Sequence, residues 1–347
     1  MKYNLSLKLD KPLENFDFVF LGIETKKGEL LYREDFTEKN KTDFNIIFSS
    51  KSEPHYLILW PYKNQWEEKQ TFLIRDNVKI KIKNLLQKFY HSGDLGDVIY
   101  SLPTIKRLGG GILYISPDYT DMSIRDPMTL RKTKELKLIL KEQEYIKEVY
   151  FTEKKPEDID IDLNRFRKPI ITWIENGYDI DELNVFRKKP LAKLYEEEFN
   201  LNDTYIHPFL KSKISTVFSD KPIVINRSER YLNRKFPWRK IIEEYREKII
   251  FIGLKNEYKK FVKEIGEVEY FYTKTYIEAF RVISGCKLFI GNQSFCYSLA
   301  EGLKKNCIQE TSEDVCNSQY FRHNSYISRD GYEYNYNSIK NFIDSYI

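Results

Sequence analysis

The stretch HSGDLGDVIYSLP, residues 91–103, sets two Gly-Asp pairs three residues apart, directly ahead of an apolar run and a proline. Gly93 and Gly96 free the backbone for φ > 0 and for close approach of a neighbour. Asp94 and Asp97 add carboxylates where a strand pattern gives way to a helix pattern. An acid there has two uses. At a helix start it caps N–H groups or complements the dipole; at the carboxyl end of a strand, facing a cleft, it suits a general base. Residue types alone leave both uses open for Asp97. The loop is neither a G-x-G-x-x-G fingerprint nor a Walker A, so it gives no nucleotide signal of its own. A second chemistry-bearing stretch is INRSERYLNRKFPW, residues 225–238, which follows a strand and ends at a Pro-Trp that starts a helix. Its Arg227, Arg230, Arg234 and Lys235 can hold phosphate, guanidinium groups doing so bidentately, or can form a solvated basic loop.

Three kinds of segment must position these residues. Up to residue 83, short runs rich in aromatic and branched residues, among them YNLSLKL, FDFVFLGIET, FNIIFSS and HYLILWPY, alternate with polar turns. Such spacing predicts a small antiparallel β-sandwich-like module over 1–83. In it Trp60, Tyr62 and Trp66 form either a sugar-stacking platform or ordinary packing. From 84 the period changes, and strands alternate with amphipathic helices such as DVIYSLPTIKRL, TLRKTKELKLILKEQ and PLAKLYEEEF. A Rossmann-like domain is expected over 84–212. A second, over 213–347, carries five strand signals: PIVINRS, KIIFIGL, VEYFYT, KLFIGN and NCIQE. The closing YNSIKNFIDSYI reads as an amphipathic helix able to dock back on an earlier domain. Ligands of such sheets bind at the carboxyl ends of the strands, here in the cleft between the two halves.

GDVIYSLP, residues 96–103, resembles the N-terminal loop of the lipopolysaccharide heptosyltransferase group, whose members have the GT-B fold and invert the anomeric centre. The resemblance implies that Asp97 is the base and leaves Asp94, with Gly93 and Gly96, as turn former or supporting partner. LFIGNQSFCYSLAEGL, residues 288–303, is similar to the group's segment that cradles the donor diphosphate, with Asn292, Ser294, Leu299, Ala300 and Leu303 in agreement. Gln293, Phe295 and Ser298 depart from Asp, Gly and His there, which bears on the donor's sugar; helix N-terminal amides would still bind the anion. In the 225–238 loop the resemblance puts Ser228 and Lys235 on the diphosphate, with Arg227, Arg230 and Arg234 as further candidates. In FIGLKNEYKKF it puts the nucleoside-contacting acid on Glu257, where helix-start charge is the plainer alternative. The resemblance spans roughly residues 86–310 and omits the β module.

Composition narrows the classes. Among 347 residues, 41% are hydrophobic and 31% charged, as in a globular chain, and no apolar stretch nears the ~20 residues of a membrane helix. MKYNLSLKLDKPLENF lacks a signal-peptide core, so a cytoplasmic protein is expected, with peripheral membrane association open. A net charge of +5 with interleaved acids falls short of a nucleic-acid footprint. Cys286, Cys296, Cys307 and Cys316 show no C-x-x-C spacing, only four histidines exist, and DIDID at 158–162 alternates as a strand or turn does. Reduced buried thiols and no metal or cofactor are therefore expected. The expected function is a metal-independent glycosyltransferase moving a sugar from a nucleotide-diphosphate sugar to a glycan hydroxyl. The β module would read the acceptor or organise oligomers. Two alternatives stand beside it: a non-catalytic sugar or nucleotide binder with a decayed donor site, and an enzyme glycosylating modified DNA bases.

Overall fold

The computed structural model describes residues 2–8, 18–24, 27, 29–36, 43–49, 56–63, 65–66, 70–73, 87–117, 127–167, 189–312, 317–327 and 334–347. They fall into two units, residues 1–87 with 108–111, and residues 88–107 with 112–347. In the first, β1 (Lys2–Lys8) pairs with β4 (Asp43–Ser49). Strand β2 (Phe18–Glu24) lies between β3 (Leu30–Phe36) and β5 (Tyr56–Lys63), which also pairs with β6 (Gln65–Trp66) and β7 (Gln70–Leu73). Every one of these pairings is antiparallel, in keeping with the aromatic and branched runs that form them. Face-to-face packing of the two sheets as a sandwich rests on the sequence pattern alone. The side chains of Trp60, Tyr62 and Trp66 lie outside the described residues.

The other unit is α/β. Strands β8 (Gln87–His91), β9 (Gly111–Ile115), β10 (Ile146–Phe151) and β11 (Ile161–Asp162) stand in the order β10-β9-β8-β11, with β11 parallel to β8. Helices α1 (Leu95–Arg107), α2 (Leu130–Leu140) and α3 (Leu191–Phe199) accompany them. DIDID is spent on this sheet: Asp160 accepts from the Lys88 backbone N–H at 2.8 Å, Asp158 pairs with the Lys88 ammonium, and Asp162 with Lys155 at 2.7 Å.

A second, wholly parallel sheet comprises β12 (Ile223–Asn226), β13 (Ile249–Gly253), β14 (Glu269–Tyr272), β15 (Leu288–Asn292), β16 (Asn306–Glu310) and β17 (Ser325–Tyr326). Its order, β14-β13-β12-β15-β16-β17, is the doubly wound 3-2-1-4-5-6, one short strand more than the five signals in the sequence. IVIN and LFIGN are buried at every position, because helices cover both faces of a parallel sheet and leave no polar side. The helices are α4 (Trp238–Tyr245), α5 (Lys255–Glu264), α6 (Tyr276–Gly285), α7 (Phe295–Gly302) and α8 (Tyr336–Asp344). The closing α8 packs on its own sheet's core. Ile339 and Ile343 enter the core formed by Ile223, Ile241, Phe251 and Leu288, each worth about 1.5–3 kcal/mol of burial. Asp344 accepts a 2.7 Å hydrogen bond from the Tyr245 hydroxyl. No described helix is long and apolar enough to cross a membrane.

Candidate functional site

In both sheets of the α/β unit the chain order reverses beside the first strand, between β8 and β11 and between β12 and β15. Crevices open at such switch points, beyond the carboxyl ends of the strands. The Gly-Asp loop leaves β8 at the first. His91 is fully buried, and its Nδ1 accepts from the Gly93 N–H at 2.9 Å. Its ring proton therefore sits on Nε2, 2.7 Å from the Tyr195 hydroxyl, which takes it as acceptor. That pair of bonds sets the turn that delivers α1. The Asp94 carbonyl accepts from Val98 N–H at 3.0 Å, which makes Asp94 the residue that opens the helix. Asp97 is the third residue of α1, and it is partly buried. Neither Gly93 nor Gly96 adopts a positive φ, contrary to the reason expected for them; the positive-φ glycines lie elsewhere. A Cβ at Gly96 would stand 3.9 Å from Ser298 Oγ, an ordinary contact distance, which places the first turn of α1 beside α7.

The second switch point is built around two asparagines. Asn292, fully buried at the end of β15, accepts from the Ser228 N–H at 2.9 Å and donates to the Ser228 carbonyl at 3.0 Å and to the Arg230 carbonyl. It thereby pins the start of the basic loop. Arg227 turns inward: Nε and Nη2 donate to the two oxygens of Glu310 at 2.8 and 2.9 Å, and Nη1 donates to Glu264 at 3.0 Å. Glu310 also accepts from Asn233 N–H at 2.8 Å and Trp238 Nε1–H at 2.9 Å. Four donors on one buried carboxylate hold the loop to the sheet. Sequence reasoning passed over Glu310 as the end of a plain strand, although an acid closing an apolar run opposite a base-rich loop was a usable signal. The other bases face outward. Arg230 is 60% exposed, Arg234 and Lys235 are exposed, and Arg230 Nη1 lies 3.9 Å from the Asp94 carboxylate, joining the two strand-end loops.

Ser294 caps α7. Its hydroxyl accepts from Tyr297 N–H at 3.2 Å and donates to Asn226 Oδ1 at 3.2 Å. Gln293 donates through Nε2 to Asn317, while its Oε1 is buried without a hydrogen-bond partner. Phe295 packs on Tyr276 with ring centroids 5.0 Å apart, and Ser298, fully buried, donates to the Phe295 carbonyl at 2.7 Å. The departures at 293, 295 and 298 thus have packing partners of their own. Glu257, in the first turn of α5, accepts from Leu254 N–H at 3.1 Å. Burial pushes its carboxyl above the ordinary range, and that hydrogen bond only partly opposes the shift. Arg227, Ser228, Glu229, Leu232, Glu257 and Lys260 line a cleft of about 190 Å³ including its open mouth. Its enclosed part is only about 10 Å³, room for about one water.

The structure thus joins Asp94 to Arg230, Ser228 to Asn292, and Ser294 to Asn226, a residue the sequence reading did not single out. No protein-family model matches the sequence, and no curated protein matches it. Among solved structures, the chain is similar to E. coli heptosyltransferase WaaC with ADP-2-deoxy-2-fluoro heptose, at 13% identity and a TM-score of 0.42 over 74% of this chain and 98% of that one. It is similar to the dodecameric iron-containing heptosyltransferase TibC of enterotoxigenic E. coli in complex with ADP-D-beta-D-heptose (13% identity, TM-score 0.45, 94% of this chain, 82% of that one). A glycosyl transferase family 9 protein of Veillonella parvula matches at 10% identity and a TM-score of 0.43 over 74% of this chain and 88% of that one. The metal-free expectation is corrected here: it conflicts with TibC, which is iron-containing. Among the described residues no group of three His, Cys, Asp or Glu side chains can hold an ion, and no step below runs through one.

Proposed function

We propose that this protein transfers a sugar from a nucleotide-diphosphate sugar to an acceptor hydroxyl, with inversion, in the assembly of a surface glycan. In this reading residues 84–212 take the acceptor and residues 213–347 the donor. The observation that carries it is the meeting of the two strand-end loops, with Asp94 3.9 Å from Arg230 and Gly96 against Ser298. This brings the acid-bearing first turn of α1 to the N-terminus of α7. Asp97 would take the acceptor proton as its oxygen bonds to the anomeric carbon. The bond from that carbon to the diphosphate breaks, and the nucleoside diphosphate leaves with the electron pair. Amides at the start of α7, with Arg230, Arg234 and Lys235, would stabilise the charge that develops there. Arg227 serves by bracing the loop through Glu310, and Glu257 is placed to accept from a ribose hydroxyl.

A panel of nucleoside diphosphates and nucleotide sugars, read by thermal shift, identifies the donor; transfer to glycan acceptors is then compared for wild type and Asp97→Ala. Loss of a general base lowers turnover by roughly 10²–10⁴-fold, with donor affinity preserved. Near-normal transfer by Asp97→Ala would remove the base assignment. Donor binding or hydrolysis without transfer to any acceptor would instead favour a binding protein.

A further inference from the structure

We infer that His91 is a positioning residue for the carboxylate that activates the acceptor: its buried imidazole, held by Tyr195, fixes the turn that carries Asp94 and Asp97 into the crevice. This rests on the transferase reading above, in which Asp97 is the base.

The core grips α1 from Val98 onward. Residues 98–105 are buried, whereas residues 94–97 are partly buried. Packing therefore leaves the segment bearing both carboxylates to be placed by the turn before it. Hydrogen bonds at three consecutive residues hold that turn. The His91 carbonyl accepts from Ser116 N–H at 3.1 Å, Ser92 N–H donates to Asn164 Oδ1 at 3.3 Å, and Gly93 N–H donates to His91 Nδ1 at 2.9 Å. The first two tie the chain to residues that follow β9 and β11. The third needs a ring that keeps its unprotonated nitrogen toward Gly93, because a neutral imidazole has one donor and one acceptor. Tyr195 supplies that constraint, with its hydroxyl 2.7 Å from Nε2. Tyr195 is itself fully buried, and its ring meets Phe166 edge-on at 4.7 Å between centroids. The head of α3, which carries it, is anchored too. The N–H groups of Leu191 and Ala192 have no acceptor inside the helix; they donate to the Asn317 carbonyl at 2.8 Å and the Tyr320 hydroxyl at 3.0 Å. The imidazole thus passes the position of a packed helix to a turn with little core of its own. Displacing a reacting group by about 1 Å costs on the order of 10²-fold in turnover.

Two substitutions separate the ring nitrogens. His91→Asn keeps an acceptor close to where Nδ1 stands and cannot span to Tyr195. His91→Gln keeps a polar group near Nε2 and gives the Gly93 N–H no acceptor. Tyr195→Phe removes the hydroxyl alone. Transfer is followed as acceptor-dependent release of nucleoside diphosphate, with ADP-heptose, ADP-glucose, UDP-glucose and GDP-mannose as donors and deacylated lipopolysaccharide as acceptor. Exchange of the Gly93 amide is followed by hydrogen–deuterium exchange of the same full-length proteins. His91→Gln should lower kcat by about 10²-fold with donor KM unchanged, Tyr195→Phe should lower it less, and His91→Asn should recover to within about tenfold of wild type. Gly93 exchange should rise in the same order. A purely structural His91 would lower thermal stability in the Asn and Gln variants alike and leave kcat of the folded protein unchanged, which overturns the inference. Gly93 exchange that His91→Gln does not alter overturns it as well. Should His91→Gln not fold, Tyr195→Phe decides, and wild-type kcat in that variant overturns the inference. Absence of transfer by wild type from every donor defeats the transferase reading, and the positioning role with it, even where Gly93 exchange follows the ring.

Discussion

Burial just after β13 strips solvent from the Glu257 carboxyl, and the hydrogen bond from Leu254 N–H restores only part of what is lost. A group whose folded pKa lies above its unfolded value favours folding while protonated. Its contribution is complete below the ordinary 4.5 and is lost as pH rises through the raised folded value. Wild type should therefore lose stability relative to Glu257→Gln as pH climbs from below 4.5 to neutrality, as paired urea titrations would measure. A gap that stays constant with pH would contradict the raised pKa.

At the scale of elements, the basic loop is two populations of cations with different work. Arg227 is 8% exposed and locked between Glu310 and Glu264, whereas Arg234 and Lys235 face solvent. Glu310→Ala leaves a buried guanidinium, an indole N–H and a backbone N–H without their acceptor, and should cost about 3–5 kcal/mol in denaturant unfolding. Lys235→Ala should change stability by no more than about 0.5 kcal/mol while weakening nucleoside diphosphate binding. Equal stability losses for the two would mean that the loop is not anchored through Glu310. The helices around it start where local chemistry says they should. Thr275 and Glu278 exchange hydrogen bonds at the head of α6, Thr129 caps α2 and Asn335 caps α8. Each signal is carried by residues within four positions of one another. For that reason PIVINRS, KIIFIGL and NCIQE could be read in the chain to within a residue or two of the strands they form.

Across the whole molecule, the buried state of the thiols follows from their places in the sheet and its helices. Burial pushes Cys286 up to about 12 and moves Cys296 and Cys307 upward as well, so all three stay protonated near neutral pH. Native alkylation followed by peptide mass spectrometry should leave these three unmodified until denaturant is added; Cys316 lies outside the described residues. Rapid labelling of any of the three would show that the second sheet opens. The alternation of strand and helix, the apolar strands buried on both faces, the helix caps and the reduced thiols were legible in the sequence, because each depends on neighbours along the chain. So were the loops where chemistry would sit, since Gly-Asp turns and clustered bases stand out against apolar runs. What the tertiary structure alone decided is which of those groups meet. Asp94 reaches Arg230 from the loop of another sheet, Arg227 turns from solvent to Glu310, and Asn226 meets Ser294 because β12 lies beside β15. The fold brings together residues far apart in the chain, and no local pattern of hydrophobicity or charge encodes it.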